Sequence, residues 1–260
     1  MPDILVLCYH AVSERWPSPL AVTPGQLEHQ LRLLVRRGYR GATFESAVTG
    51  PPAGRTVAVT FDDGYRSVLT HALPVLERLA LPGTVFVPTD FVGQGGPMRW
   101  PGIEHWLGTA YEDELAAMSW EELRTLVDAG WEIGSHTCSH ARVSLLDDAE
   151  LDRELRKSRA VCEKRLGGCR SLALPYGNTD ARVPRAAEDA GYRAVAGLYQ
   201  GAARGPIWTR VAVYPVDAPW RFRLKVARSM RRIRSRVVNP VAAAVGRARS
   251  FRRTGERPAA

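Results

Sequence analysis

The amino-acid sequence predicts an α/β fold, a closed or nearly closed β/α barrel on a parallel sheet. Short apolar or β-branched runs alternate with helical patterns about six or seven times, and such alternation makes parallel strands joined by crossover helices. No Gly-rich phosphate loop follows the first strand, as it would in the open doubly wound alternative. At 260 residues, 45% hydrophobic and 24% charged, the chain is long enough to close one barrel over a real core.

Residues 4–9 are an apolar run of strand length. Thr23-Pro24-Gly25-Gln26 opens a helix, with Thr as N-cap, Pro at the first helical position and Gln three residues beyond the cap. Leu27, Leu31, Leu34 and Val35 form its apolar stripe, and Gly38 ends it. Residues 56–61 are a second, β-branched strand. Residues 68–79 read as helix with Pro74 as a kink point, and 83–87 as a third strand. Residues 91–118 read as a long loop with an aromatic stretch at 106–111, and long loops inside compact domains are commonly functional or mobile. Ser119-Trp120-Glu121-Glu122 is a second capping box, with Leu123, Leu126 and Val127 behind it and Gly130 as its stop. Strands at 131–135, 171–175, 192–196 and 210–214 then enclose helices at 147–166 and 184–190.

No apolar run approaches the roughly 18–20 residues of a membrane-spanning helix. The first residues show no basic stretch and no small-residue cleavage site, so a secretory leader is not expected. Cys8, Cys138, Cys162 and Cys169 form no C-x-x-C pair and read as reduced thiols in a cytoplasmic setting. Cys8 and Cys162 read as small buried hydrophobes.

Charge is uneven. Of the net +9, residues 220–260 carry 13 basic and one acidic residue, leaving 23 basic against 26 acidic in residues 1–219. The expected organisation is a barrel domain over 1–219, a basic helix over 220–238 and a disordered Arg/Ala-rich tail over 239–260. Phe222, Val226, Met230, Ile233 and Val237 recur at helical spacing among eight basic residues. That pattern fits the inner, anionic surface of a membrane, and equally a last barrel helix with a solvated face. No nucleic-acid-binding module is present and the body is not basic, so nucleic acid is not expected as a partner.

The unusual polar residues fall at strand ends: His10, Asp62-Asp63-Gly64, His136 with His140, and Pro175-Tyr176-Gly177. In parallel β/α folds these ends share one rim, which carries the active site. Two adjacent carboxylates repel unless something offsets them, and a divalent cation does so. By strand alternation one Asp can ligate while its neighbour stays free as a base. The bare alternative is a helix N-cap. Two histidines at i, i+4 face one side of a helical turn and reach one ion, whereas Cys138 points away. Alone they could equally be surface histidines.

Thr60-Phe61-Asp62-Asp63-Gly64-Tyr65, His136-Thr137-Cys138-Ser139-His140 and Leu174-Pro175-Tyr176-Gly177 occur in this order. Together with Tyr9-His10 they resemble the polysaccharide deacetylase (NodB-like) family of carbohydrate esterases, over about residues 3–217. The resemblance implies a distorted (β/α)7 barrel and a metal-dependent hydrolase that removes N-acetyl groups from amino sugars. It implies Asp62 as general base, Asp63, His136 and His140 as metal ligands, and the Tyr176 amide as oxyanion donor. His10 is implied as general acid, expected across the pocket from Asp62. Pro175 and Trp100 are expected to touch the sugar. The implied metal is one divalent ion, Zn2+ first, with Co2+, Ni2+ or Fe2+ as alternatives. Many family members carry Arg two residues before the Pro of the third motif, where this chain has Ala173. Arg210 is the candidate to supply that charge; its plain alternative is a surface residue. The rival functions are a hydrolase of another C–N bond, such as a sugar deformylase, and a non-catalytic glycan-binding module.

Overall fold

The computed structural model describes residues 3–51, 53–198 and 207–233. Its strands are β1 (Asp3–Tyr9), β2 (Ala11–Val12), β3 (Ala21–Val22), β4 (Arg40–Gly41), β5 (Arg55–Phe61), β6 (Gly83–Val87), β7 (Glu132–Ser135), β8 (Ser171–Ala173), β9 (Ala194–Gly197), β10 (Ile207–Thr209) and β11 (Val211–Ala212). One sheet runs β10-β9-β8-β7-β6-β5-β1-β11, with β4 beside β5 and every pairing parallel. The strands β10 and β11 are two halves of one segment, separated only by Arg210. Its first half pairs with β9 and its second with β1, so this segment joins the two ends of the sheet. The result is a nearly closed barrel of seven staves, as expected, when β10 and β11 count as one.

Strand alternation sorts the side chains. Leu5, Leu7 and Tyr9 of β1 and Val57, Val59 and Phe61 of β5 join the large apolar cluster under the surrounding helices. The residues between them face the lumen, where Val6, Ala58, Phe86, Ala173, Ala194 and Ala196 form a second cluster. Most are small, so Phe86 can fill the interior. A Cβ on Gly134 would lie 2.6 Å from the Phe86 ring, so only glycine fits there. Phe44 and Ala47 of α2 (Phe44–Thr49) pack into this inner cluster. This short helix has too few turns to show an apolar stripe, so sequence periodicity does not reveal it.

The capping boxes form as read: Thr23 with Gln26 opens α1 (Pro24–Arg36), and Ser119 with Glu122 opens α4 (Trp120–Asp128). Asp147 with Glu150 does the same for α5 (Asp148–Leu166). The Pro74 kink is a widened, π-helical turn at Val68–Ala72 ahead of α3 (Leu73–Arg78). Proline offers no N–H to the carbonyl four residues back, and its ring crowds that carbonyl outward. The loop over 91–118 packs down on buried Met98, Trp100, Ile103 and Leu115. The helix α6 (Val183–Asp189) precedes β9, and two short helices follow β11 among the described residues.

These are α7 (Pro219–Val226) and α8 (Arg228–Ile233). Extended backbone at Ala227 (φ −62°, ψ 129°) divides them, so the expected continuous helix from 220 is broken there. Phe222 and Val226 are buried against the barrel, whereas Trp220 and Leu224 face out at 64% and 51% exposure. Val237 and residues 239–260 lie outside the described residues. Among the described residues no helix is long and apolar enough to cross a membrane.

Arg231 fastens α8 to the start of β1. It donates to the Ile4 carbonyl at 2.8 Å and pairs with Asp3, which also accepts from the Tyr39 hydroxyl at 2.6 Å. Burial pushes the Asp3 carboxyl up, but Tyr39 and Arg231 hold it below its ordinary value. Arg231→Ala should cost about 1–3 kcal/mol of stability, read from denaturant midpoints at neutral pH. A depressed carboxylate contributes above its unfolded pKa and loses that contribution as pH falls through the folded one. The difference between the two proteins should therefore shrink in acid; a pH-independent difference would mean that Asp3 is not Arg231's main partner.

Candidate active site

All the polar strand-end residues meet on the rim at the C-terminal ends of the strands. Asp62 continues the ladder of β5, its N–H donating to the Tyr9 carbonyl at 3.0 Å. Being in register with Ala58 and Thr60, it points into the lumen. There Arg210 grips it with both guanidinium nitrogens, at 2.6 Å to Oδ1 and 2.8 Å to Oδ2. Arg210 also donates to Thr60 Oγ1 at 3.1 Å and lies over the Phe86 ring. It is 3% exposed, so the plain alternative of a surface residue does not hold. The Cys8 thiol adds a third contact, 3.4 Å from Asp62 Oδ2. Burial pushes the Asp62 carboxyl up, but the Arg210 charge and hydrogen bonds, together with His136 and His10, leave it below the usual carboxylate range.

Continued alternation would turn Asp63 out of the barrel. It does not, because Asp63 takes a left-handed conformation (φ 71°) followed by Gly64 (φ 70°). A Cβ on Gly64 would meet Val87 Cγ1 at 3.0 Å. The turn brings Asp63 Oδ1 to 3.3 Å from His136 Nε2 and 3.2 Å from His140 Nε2.

The two histidines do not sit on a helical turn. His136 follows β7 directly, and the loop to His140 has left-handed backbone at Thr137 (φ 68°) and His140 (φ 61°). The i, i+4 spacing is real, but a strained loop, not helical periodicity, makes the rings converge, with centroids 5.0 Å apart. His136 Nδ1 lies 2.8 Å from the Ala173 carbonyl, which can only accept, so Nδ1 carries a proton and Nε2 is the atom turned to Asp63.

Asp63, His136 and His140 thus present one oxygen and two nitrogens, all within 4.8 Å of one another. Asp63 Oδ1 is buried and makes no hydrogen bond. Burial raises the Asp63 carboxyl, yet the two imidazoles hold it well below its ordinary value. A buried carboxylate facing two ring nitrogens is a donor set that suits a divalent ion of the zinc class and leaves open positions.

Trp100 stacks on His140 (4.2 Å, 23°) and is itself buried, so it backs the His140 ring. Tyr176 stands edge-on to the other side of this group at 4.7 Å from His140, with left-handed backbone (φ 59°). Pro175 beside it is buried. His10 is half-buried on the rim. One of its ring nitrogens lies within 4.8 Å of Asp62 and of Cys8, so it stands beside Asp62 and not across the pocket. The strand continues straight from β1 through His10 and is neighbour to β5, which places the two end residues side by side. Cys8, read as a plain hydrophobe, belongs to this group too. The missing signal was alternation: Cys8 shares parity with Val6 and His10, and so faces the lumen.

The sequence profile described as polysaccharide deacetylase matches residues 49–195, more than half of the chain. The chain belongs to the polysaccharide deacetylase family. Among curated relatives, YxkH of Bacillus subtilis (strain 168), which bears the family's name, is 24% identical over 194 residues, 72% of this chain and 62% of its own length. The poly-beta-1,6-N-acetyl-D-glucosamine N-deacetylase of Staphylococcus aureus (strain MSSA476) is 24% identical over 179 residues, 63% of this chain and 57% of its own. The chain therefore spans about 60% of the length of these relatives. The solved structure of IcaB from Ammonifex degensii superposes with a TM-score of 0.67 at 27% identity, covering 87% of this chain and 98% of that one. Within this polysaccharide deacetylase barrel, the guanidinium that reaches Asp62 comes from position 210, and position 173 is alanine. Ala173 packs in the inner apolar cluster with Phe86.

Proposed function

We propose that the protein is a metal-dependent N-deacetylase of an amino-sugar-containing glycan or glycan precursor. The observation that carries this reading is the pairing of two different carboxylates on one rim: Asp62 held by Arg210, and Asp63 facing His136 and His140. Asp63, His136 and His140 would hold the ion, Zn2+ first, with Co2+, Ni2+ or Fe2+ as alternatives. When bound, it supplies Lewis-acid polarisation of the acetyl carbonyl and activates water.

The remaining steps belong to this chain's own groups. Asp62 takes a proton from the attacking water, with Arg210 fixing both carboxylate oxygens so that one face stays toward the substrate. The Tyr176 amide donates to the developing oxyanion. His10 gives a proton to the nitrogen as the C–N bond breaks, giving a free amine and acetate. Pro175 and Trp100 shape the sugar's side of the pocket.

The same reading keeps a cytoplasmic placement, with peripheral contact to an anionic membrane through 220–238. Since Phe222 and Val226 are buried, that contact would fall to exposed Trp220 and Leu224 with Arg221 and Arg223 around them.

The test is metal analysis of the purified chain combined with acetate and formate release from N-acetylated and N-formylated sugars. Acetate release that stops with a chelator and returns with Zn2+ or Co2+ is the expected result. Formate release alone would make the protein a deformylase. Sugar binding without release of either acid would leave a glycan-binding module.

A further inference from the structure

We infer that Glu154 is a positioning residue that holds the histidine loop in its ligating shape, an inference that rests on the metal-site reading above. Left-handed backbone at a non-glycine residue costs on the order of 1–2 kcal/mol, and the loop contains two such residues, Thr137 and His140. Something must hold it there. Its three central amides are all captured by side chains. Thr137 N–H donates to Ser135 Oγ at 3.0 Å, and Cys138 N–H and Ser139 N–H donate to Glu154 Oε2 at 2.7 and 3.0 Å. Ser139 Oγ donates to the other oxygen, Oε1, at 2.9 Å.

Glu154 projects from α5 and is 8% exposed. No salt bridge neutralises it among the described residues; its charge is met by the loop's own donors. A buried carboxylate is costly unless its lone pairs are satisfied, so the loop and Glu154 stabilise each other. A second strap runs beside it: Ser135 Oγ donates to Ser158 Oγ at 2.8 Å, and Ser158 Oγ to the Glu154 carbonyl at 2.7 Å. One helix therefore sets the path of the chain between the two ligand histidines. Removing the carboxylate leaves the buried Cys138 amide and the part-buried Ser139 amide without their acceptor, and the loop can then relax out of its left-handed turns. The Nε2 of His140 would leave its place 3.2 Å from Asp63.

Groups that orient metal ligands typically change affinity by about 10–100-fold when removed. The experiment uses the full chain, titrated with Zn2+ and Co2+ against a competing chelator, with the Co2+ absorption spectrum as a report on ligand geometry. Glu154→Ala should bind both ions 10–100-fold more weakly and show an altered Co2+ band. Glu154→Gln keeps an oxygen for both amides and an NH2 for Ser139, and should stay within a few-fold of the unaltered chain. If Glu154→Ala does not fold, Glu154→Asp, one methylene too short to reach, takes its place in the comparison. Unchanged affinity and spectrum in the Ala or Asp variant, whatever its melting temperature, overturns the inference. So does a Gln variant as weak as Ala, which would make charge and not loop geometry the cause. An unaltered chain that binds neither ion overturns the metal-site reading and this inference with it.

Discussion

Asp62→Asn should leave metal binding intact and lower turnover by roughly two to four orders of magnitude, the usual contribution of a general base. The asymmetry follows from the geometry. Asp62 points into the lumen and touches Arg210 and Cys8, while the three convergent donor atoms belong to its neighbour and the two histidines. Asparagine keeps the shape and one acceptor oxygen but cannot take the proton. Asp63→Asn should do the reverse, losing the ion first and turnover as a consequence. Metal content and acetate release, measured on both variants at saturating substrate, separate the two roles. Equal metal loss in both would merge them and remove Asp62 as the base.

Arg210→Met should be the most damaging change to stability, at about 3–5 kcal/mol, because it leaves the buried Asp62 carboxylate without its counter-charge. The ion pair is 148 positions apart in sequence and both side chains are buried. Replacing both partners removes the stranded charge as well. The double variant Asp62→Asn with Arg210→Met should therefore be markedly more stable than the two single losses added together. Denaturant midpoints of the four proteins give the coupling. Simple additivity would show that Arg210 stabilises the barrel by packing on Phe86 and not through Asp62.

The barrel was legible because parallel strands buried on both faces leave dense apolar runs, and because Thr23, Pro24 and Ser119 mark helix starts by local chemistry alone. The segment at 207–212 was harder. Its sharing between β9 and β1 depends on where the barrel's ends lie, which no local pattern encodes. Residue types and order were enough to bring Asp62, Asp63, His136 and His140 under suspicion. The way they are aimed was not readable. Asp63 and His140 depend on left-handed backbone at non-glycine residues, which sequence patterns predict against. Arg210 was weighed between a buried charge and a surface residue, and only closure of the barrel decides between them. Glu154 sits on a helix rich in charged residues, and its partners belong to a loop that sequence alone does not place.

The two-part final strand has a consequence for how the molecule is made. Six of the seven staves can be synthesised, and their local helices formed, with the seam still open. In that state Asp62 has no guanidinium, and the lumen is exposed along both unpaired edges of the sheet, β1 and β9. Arrival of Ile207–Thr209 and Val211–Ala212 seals both edges at once and delivers Arg210 between them. Closing so long a loop is slow compared with forming any single βα unit. Completion of the wall and completion of the charge pair are thus one late event, so a nascent chain lacking its last stave exposes sticky edges to quality control and cannot yet carry an ordered site.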